Sequence, residues 1–361
     1  MLVVSSVGTQ TPPPQYGGLE VIAFQDAALA AKAGHEVHLV VSLDSDLQRI
    51  KDAGVHPVPT VPSGITGGIP EKESWQVWSN KVKMADFDLI HDHSHQQHTL
   101  LAQIELAKRK TKQGAVCRTI HDDRPFSQLP WIEGMNFISP TAVHGDRMTE
   151  AYGIVTRTCW HGVDAELYPV REAAPNSKQP FVFVGRISPI KGVHVLVDIF
   201  KRLKLPLVLV GPGDHLGDSD PYVWSIKSMV KDDPLIDYKG EVSHQEKVHL
   251  LQNCQAAVFA SRFHEPFGLM VAEAQMCGTP VLSLDMGGPR ETVRGFDSRL
   301  ASDPYELLRV VEEHARRVQE GVVTMEGCER TRERTIKDFS LEAHWRSLEQ
   351  LYLDAVNTQG W

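Results

Sequence analysis

Two glutamates, Glu265 and Glu273, stand eight positions apart around a Pro-Phe-Gly sequence, in the stretch SRFHEPFGLMVAEAQMCGTPV. The apolar run 256–260 before them predicts a buried strand, and the residues after Pro266 predict a helix. Glu265 would then lie in the loop before the helix, and Glu273 about two turns into it. One carboxylate could reach a ligand at the helix tip and the other a group beside the first turns, with free backbone amides between them. General acid and base catalysis by a carboxylate pair is the alternative chemistry.

A second loop carries two cations. In VFVGRISPIKG, Arg186 and Lys191 follow the apolar run Phe181–Val184, and Gly185 allows close backbone approach. Each side chain taken singly is typical of a solvated surface. Placed together directly after a buried strand, the two cations can converge on a diphosphate.

The loop of residues 8–18 contains PPPQYGGLE, in which Gly17 and Gly18 precede a predicted helix. Bare backbone amides at a helix N-terminus suit a phosphate group. A tight turn without a ligand is the alternative, because a Gly-Gly pair alone is a weak motif.

Histidines cluster in LIHDHSHQQH, at His91, His93, His95 and His98, and a further one, His121, lies in TIHDD. Alternating histidines at a strand end suit zinc. The HxHxDH order of metallo-β-lactamases is absent, however, so we predict no metal ligands. His121 ends a predicted strand beside two aspartates, where a residue of a binding cleft is expected.

Strands and helices alternate in both halves of the chain. The predicted strands are Leu2–Val7, Glu36–Val41, Asp88–His91, Ala115–Ile120, Met135–Ile138, Phe181–Val184, Leu207–Val210, Ile236–Tyr238, Ala256–Ala260 and Pro280–Leu284. The predicted helices are Gly18–Ala33, Thr99–Lys110, His194–Leu203, Gln245–Gln252, one from the capping box at Asp303 to Gln319, and Phe339–Val356. This pattern predicts an α/β chain with two doubly wound parallel-sheet domains. Ligands bind at the carboxyl ends of such strands, so a cleft between facing domains is expected.

The bulk composition narrows the class of protein. With 361 residues the chain suits two domains, and we place them at 1–170, joined by the C-terminal helix 339–361, and at 171–338. The net charge of −9 argues against a nucleic-acid binder. No segment reads as a membrane span or signal peptide, and five scattered cysteines are typical of reduced thiols, so we expect a cytoplasmic protein. The basic patch 108–112 leaves peripheral contact with a membrane surface as an alternative to a solvated helix end.

Taken together, these loops resemble the retaining glycosyltransferases of family 4. The matching pieces come in family order over roughly residues 2–293: PPPQYGGLE, DLIHDHS, RTIHDD, HGVDAELYP, VGRISPIKG, LVLVGPGD, YKGEVSHQEKVHLL, HEPFGLMVAEAQMCGTPV and GGPRETV. The most specific of them is the Glu265 to Glu273 pattern with EPFG inside it. The resemblance implies a GT-B fold, in which two Rossmann-like domains face each other across a cleft.

The resemblance also implies a role for each matching residue. Arg186 and Lys191 would hold the diphosphate of a nucleotide-sugar, Glu273 its ribose, and Glu265 the sugar that is transferred. His121 would lie near that sugar, and with Arg186, Lys191 and Glu265 it completes the implied catalytic set. The other implied donor-binding residues are Gly17, Gly18, Gly185, Gly240, Glu241, Val242, Phe267, Gly268 and Leu269. One departure is His161, where asparagine is usual, and it puts in doubt only the turn between the domains.

The activity that follows is transfer of a hexosyl group, with retention, from a UDP-, GDP- or ADP-sugar to a hydroxyl acceptor. We expect no cofactor and no essential divalent metal, because Arg186 and Lys191 supply the positive charge. A GT-B sugar-nucleotide epimerase, a glycan phosphorylase, a metallohydrolase using the histidines and a non-catalytic nucleotide-sugar binder are the alternatives. A phosphorylase would normally need a pyridoxal-phosphate lysine and a much longer chain. The sequence leaves the donor, its base and the acceptor open.

Overall fold

The computed structural model describes residues 1–14, 17–64, 69–95, 114–122, 136–213 and 219–358. The chain forms two compact units, Met1–Gly162 with Leu341–Trp361, and Val163–Ser340. The boundaries predicted from the sequence followed residues 170 and 338, whereas the structural boundaries follow Gly162 and Ser340. Backbone pairing explains where the second unit begins and ends, because Val163 forms a parallel bridge with Ser340 and donates its N–H to Phe339 O at 2.8 Å.

The described strands are short and mostly buried. In chain order they are β1 (Leu2–Val4), β2 (His38–Val41), β3 (His56–Pro59), β4 (Leu89–Asp92), β5 (Ala115–Thr119), β6 (Asn136–Ser139), β7 (Arg157–Thr158), β8 (Phe181–Val184), β9 (Leu207–Val210), β10 (Ile236–Gly240), β11 (Ala257–Phe259), β12 (Val281–Leu284) and β13 (Arg299–Ala301).

The described α-helices cover the sheets and connect the strands. They are α1 (Gly18–Lys32), α2 (Leu47–Asp52), α3 (Ile69–Lys81), α4 (Ala142–Tyr152), α5 (Val193–Leu203), α6 (Pro221–Val230), α7 (His244–Gln252), α8 (Leu269–Met276), α9 (Pro289–Thr292), α10 (Pro304–Gln319), α11 (Met325–Phe339) and α12 (Leu341–Thr358). Short 3-10 turns lie at Met84–Asp86 and Pro189–Lys191.

Each unit contains one parallel sheet. The first has the order β3-β2-β1-β4-β5-β6-β7 and the second the order β10-β9-β8-β11-β12-β13. In the first sheet Leu2 pairs with His38 on one side and Ile90 on the other, and in the second Phe181 pairs with Leu207. The central strands are continuous apolar runs because helices bury both of their faces. The predicted pair of doubly wound parallel-sheet domains is confirmed.

Three of the four edge strands of the described sheets, β3, β7 and β13, were not predicted from the sequence, whereas the fourth, β10, was. Strand β3 has the sequence HPVP, and its two prolines are tolerated because it pairs on one side only. Strands β7 and β13 are also edge strands, and each is short and partly exposed. Such segments lack the apolar run by which central strands are recognised. The predicted helix Thr99–Lys110 and the basic patch 108–112 lie outside the described residues.

Helix α12 packs against the sheet of the first unit. Its buried residues Leu348, Leu351, Tyr352 and Ala355 form a cluster with apolar side chains of β4, β5 and β6. The helix therefore supplies part of the core on which the first sheet rests, although it is the last element in the chain.

The cysteines and the lengths of the helices bear on whether the thiols are reduced and whether a helix could span a membrane. All five cysteines are buried and unpaired. In the described part of the chain, no helix combines the length and the apolar character needed to cross a lipid bilayer.

Candidate active site

The loop after β8 brings Lys191 to Glu265. Gly192 has φ of +67°, and a Cβ there would lie 2.0 Å from Ala260 O, so this loop packs directly on the end of β11. Because β8 and β11 are neighbours in the sheet, Lys191 Nζ comes to 2.5 Å from Glu265 Oε1. Ser261 Oγ donates to the same carboxylate oxygen at 2.5 Å. The two side chains of the ion pair are 17% and 15% exposed, so solvent screens their charges only partly.

Helix α8 begins at this ion pair without a side-chain cap. Its N-cap residue is Gly268, with φ of +87°. Gly288 donates its backbone N–H to Glu265 O at 2.6 Å, and a Cβ on Gly288 would lie 2.6 Å from Phe267 Cα. The glycines of GGPRETV therefore let this loop pack against the EPFG backbone. The first amides of α8 have no side-chain acceptor from the N-cap residue, which suits an anion or sugar hydroxyls.

Glu273 lies on the second turn of α8 and is held by Lys247. Lys247 Nζ, on α7, donates to Glu273 Oε2 at 2.8 Å and to Tyr168 OH at 2.8 Å, and it lies 5.1 Å from the centre of the Tyr168 ring. Burial raises the pKa of Tyr168 well above its usual value, and the Glu273 carboxylate adds to this shift. No role was predicted for Lys247 or Tyr168, although both lie in stretches that match the family, YKGEVSHQEKVHLL and HGVDAELYP.

The remaining predicted residues of the second unit lie on loops at the same edge of its sheet. Gly185 and the half-buried Arg186 follow β8 directly. Gly240 ends β10 with φ of +72° and accepts from Gly211 N at 2.8 Å, while Glu241 is exposed and Val242 half-buried. Parallel strands present their carboxyl ends to one edge, so the loops after β8, β10 and β11 share that edge.

Gly17 and Gly18 lie at the start of α1 in the first unit. Gly17 is the N-cap residue, and as a glycine it has no side chain with which to cap the helix. A Cβ on Gly17 would lie 2.9 Å from Pro13 Cβ, so the proline-rich loop packs against the glycine. Residues 15 and 16 of this loop lie outside the described part of the chain.

The histidines of β4 form a buried hydrogen-bonded cluster with α1 and α12. His91 Nδ1 lies 2.7 Å from Tyr352 OH, and His91 Nε2 lies 2.8 Å from Thr119 Oγ1. His93 Nδ1 lies 2.9 Å from His121 Nε2, and His93 Nε2 lies 3.1 Å from His91 Nδ1. His121 is therefore tied to the protein interior through His93.

Asp26 and His344 form the charged centre of this cluster. His344 Nε2 donates to Asp26 Oδ1 at 2.7 Å, and its Nδ1 donates to Trp160 O at 2.6 Å. Because both acceptors lack protons, both ring nitrogens of His344 carry one. Burial alone would lower the pKa of His344, but Cys159 and the Asp26 carboxylate raise it well above its usual value. Burial alone would raise the pKa of Asp26, but the charge and hydrogen bond of His344 hold it well below its usual value.

Three other histidines near this pair have lowered pKa values. Burial lowers the pKa of His91 and of His121 well below the usual range, and neighbouring histidines reinforce the effect. Burial lowers the pKa of His161 to about 3, and its ring lies parallel to that of His121 with centroids 5.4 Å apart. The departure at His161 therefore bears on the surroundings of His121 and not only on a turn.

Among the residues that the structure describes, one set of possible metal ligands comes together, although the sequence predicted none. Single ligand atoms of Asp26, His91 and His93 lie within 4.8 Å of one another. Within this set, His93 Nε2 lies 3.1 Å from His91 Nδ1 and 3.4 Å from Asp26 Oδ2, and His91 Nδ1 lies 2.7 Å from Tyr352 OH. His95 is separate from this group and pairs with Asp122 at 3.2 Å, and His98 lies outside the described residues. No sequence signal pointed to Asp26, His344 or Tyr352.

Residues 164–336 match the family model described as glycosyl transferases group 1. Glycogen synthase of Mycobacterium tuberculosis is 26% identical over 253 residues, which are 67% of this chain and 59% of that protein. D-rhamnosyltransferase WbpZ of Pseudomonas aeruginosa is 28% identical over 157 residues, 41% of this chain and 40% of that protein. The chain thus spans less than two thirds of the length of these relatives.

Solved structures match over almost the whole chain. Sucrose-phosphate synthase of Thermosynechococcus elongatus has a TM-score of 0.79 at 18% identity, covering 99% of both chains. HepE of Anabaena, solved in complex with UDP and glucose, has a TM-score of 0.73 at 17% identity, covering 97% of this chain and 98% of that one. The chain therefore has the GT-B fold, and its residues 164–336 match the family model of the glycosyl transferases group 1.

Proposed function

We propose that the protein is a retaining glycosyltransferase that moves a hexosyl group from a nucleotide-diphosphate sugar to a hydroxyl acceptor. The observation that carries this proposal is the Lys191–Glu265 ion pair at the N-terminus of α8, where no side chain of the N-cap residue covers the helix amides. A cation, a carboxylate and free amides within one loop system suit a ligand with both phosphates and hydroxyls. The match of residues 164–336 to the group 1 glycosyl transferases supports the same assignment.

The proposed reaction breaks the bond between the anomeric carbon and the diphosphate oxygen. Negative charge grows on the leaving diphosphate, and Arg186, Lys191 and the first amides of α8 stabilise it as fixed charges and dipoles. Glu265 faces the positive charge that develops on the sugar, and Glu273 binds the ribose. Because Lys191 is paired with Glu265 in the free protein, both charges are already held beside the N-terminus of α8, where the donor is proposed to bind.

Retention follows if the acceptor attacks from the side of the leaving group. The acceptor oxygen then forms the new bond to the anomeric carbon, the bond to the diphosphate breaks, and the acceptor proton passes to a leaving phosphate oxygen. This route needs no nucleophile from the protein. In this proposal no divalent metal is required either, because Arg186 and Lys191 supply the positive charge that neutralises the diphosphate.

The donor that we propose to test first is UDP-glucose, because the structures of HepE contain UDP and UDP-glucose. Purified protein is incubated with UDP-, GDP- or ADP-glucose and a panel of sugar, sugar-phosphate and glucan acceptors, and release of nucleoside diphosphate is measured. We expect release that depends on acceptor, is unchanged by EDTA, and gives a product with the α-anomeric proton signal of the donor.

Three results would contradict the proposal in different ways. A β-linked product would exclude retention. A changed sugar on the nucleotide without any acceptor would indicate an epimerase. Hydrolysis that EDTA abolishes and zinc restores would indicate a metallohydrolase.

A further inference from the structure

The ammonium group of Lys247 has one N–H more than its contacts within the second unit use. Its Nζ donates to Glu273 Oε2 at 2.8 Å and to Tyr168 OH at 2.8 Å, and an ammonium group has three N–H donors. In the part of the chain that the structure describes, the third N–H has no hydrogen-bond acceptor. The Lys247 side chain is 19% exposed, so this third donor is accessible to a ligand.

Tyr168 uses its whole hydroxyl within the protein. The phenol oxygen accepts from Lys247, because an ammonium group can only donate. The phenol O–H donates to the Glu273 carboxylate, which can only accept. Tyr168 is 6% exposed, so it orients Lys247 and Glu273 without presenting its own hydroxyl to a ligand.

The Glu273 carboxylate keeps acceptor sites for a ligand. A carboxylate has about four lone-pair sites, and the contacts with Lys247 and Tyr168 leave part of them unused. The Glu273 side chain is 15% exposed. Lys247 and Glu273 therefore present a hydrogen-bond donor and an acceptor side by side to a ligand.

Backbone contacts at both ends hold α7, the helix that carries Lys247. At its start, the His244 ring donates through Nε2 to Leu167 O at 3.1 Å. At its end, Gln252 Nε2 donates to Pro169 O at 2.8 Å. Lys247 lies between these contacts, so its position beside the segment 167–169 does not depend on the ion pair alone.

Arg332 connects the same segment to α8. Its guanidinium group donates to the backbone oxygens of Tyr168 and of Met276, the last residue of α8. Because Glu273 lies on α8 as well, the Lys247, Tyr168 and Glu273 side chains are carried by backbone segments that are joined to one another. Such preorganisation lowers the entropy cost of binding a ligand.

We propose that Lys247 is a specificity-determining residue that donates to one hydroxyl oxygen of the donor ribose, while Glu273 accepts from the neighbouring hydroxyl. This inference rests on the proposed function, in which Glu273 binds the ribose. The two adjacent hydroxyls of a ribose match a donor and an acceptor that lie 2.8 Å apart. A nucleotide without the hydroxyl at Lys247 leaves a largely buried N–H without its partner, so the site should select against it.

The experiment is calorimetric titration of the full-length protein with UDP, 2′-deoxy-UDP and 3′-deoxy-UDP, or with the GDP and ADP series if UDP does not bind. In the unsubstituted protein, removal of either hydroxyl should weaken binding about 10-fold to 100-fold, the scale of one hydrogen bond to a charged group. In Lys247→Met one of these two losses should disappear, because that hydroxyl no longer has an ammonium partner. The loss for the other hydroxyl, which contacts Glu273, should remain.

Two further variants make the result specific. Lys231→Met, at an exposed lysine, is the matched control and should keep both losses. Lys247→Gln keeps an N–H donor without the charge, so it should retain part of the loss that Lys247→Met removes. Urea denaturation checks that each variant is folded.

A merely structural Lys247 would give a different pattern, because Lys247→Met would then weaken the binding of all three diphosphates by the same factor. That result would overturn the proposal, and so would equal affinity of the unsubstituted protein for all three. Sugar transfer in either case would leave the proposed function standing. The expected losses in a protein that transfers no sugar would support the ribose contact and refute the proposed function. Failure of every nucleoside diphosphate to bind would overturn both.

Discussion

At the scale of single residues, Lys191 is the side chain whose electrostatic stabilisation of the substrate should grow most as the transition state forms. Its ammonium group is paired with Glu265 at 2.5 Å in the free protein, and in the proposed mechanism it meets charge that builds on the leaving phosphate. We expect Lys191→Ala to lower kcat by roughly 100-fold or more, the usual scale for one lost preorganised electrostatic contact. Steady-state kinetics with varied donor measure this. The exposed Lys231→Ala serves as control, and a change confined to KM would show that Lys191 only binds the ground state.

Glu273 should act differently, because a ribose does not change during the reaction. We expect Glu273→Gln to raise the donor KM more than it lowers kcat, with a penalty of about 1.5–3 kcal/mol for a hydrogen bond to a charged group. Lys247→Met should raise the donor KM as well, because Glu273 then loses the contact that orients it. An effect of either substitution on kcat alone would contradict this assignment.

At the scale of elements, the close approach of the loop after β8 to the end of β11 depends on Gly192. Gly192 and Gly321 have similar φ values of +67° and +69°, but a Cβ on Gly321 would meet nothing within 4 Å. Gly321→Ala should therefore cost only the left-handed strain, about 1–2 kcal/mol of unfolding free energy. Gly192→Ala should cost more than about 3 kcal/mol, because its Cβ would also collide with Ala260 O. Urea denaturation of both variants measures the difference. Equal losses of unfolding free energy would show that the close contact of Gly192 with Ala260 does not contribute to stability.

Helix α12 gives a second test at this scale, because it presents one buried and one exposed face. Leu348 is 1% exposed in the core of the first unit, while Leu353 on the same helix is 52% exposed. We expect Leu348→Ala to lower the unfolding free energy by about 2–5 kcal/mol. Leu353→Ala should change it by less than about 0.5 kcal/mol. Both variants are measured by thermal and urea denaturation. If Leu348→Ala and Leu353→Ala lowered the unfolding free energy by similar amounts, α12 would not be packed as described.

At the scale of the whole molecule, stability should fall when the pH drops below about 6.5. The pKa of His161 is lowered to about 3 and that of His314 to about 4, both by burial, so between those values and 6.5 the unfolded chain binds protons that the native protein does not. The unfolding free energy then falls with decreasing pH, by up to about 1.4 kcal/mol per unit for each such group. Asp26, with its lowered pKa, adds a loss in the same direction at still lower pH.

Urea denaturation between pH 7.5 and 5 measures this slope. His314→Gln should reduce the slope, because the substitution removes a group that takes up a proton only on unfolding. His249→Gln, at an exposed position, is the control. A slope that His314→Gln leaves unchanged would show that the acid sensitivity arises elsewhere.

The two parallel sheets and the loops that follow their strands were predictable from the sequence, and the physical reason is local. A strand buried on both faces is a continuous apolar run, and the residues after it, such as Arg186, Lys191 and Glu265, are found by counting along the chain. Edge strands such as β3 were not predicted, because a strand that pairs on one side only need not be a continuous apolar run. Which side chains contact each other in the site was decided only by the tertiary structure. Lys247 reaches Glu273 from 26 positions away and His344 reaches Asp26 from 318 positions away, and no local pattern encodes either distance. Tyr352, on α12, likewise reaches His91 from 261 positions away.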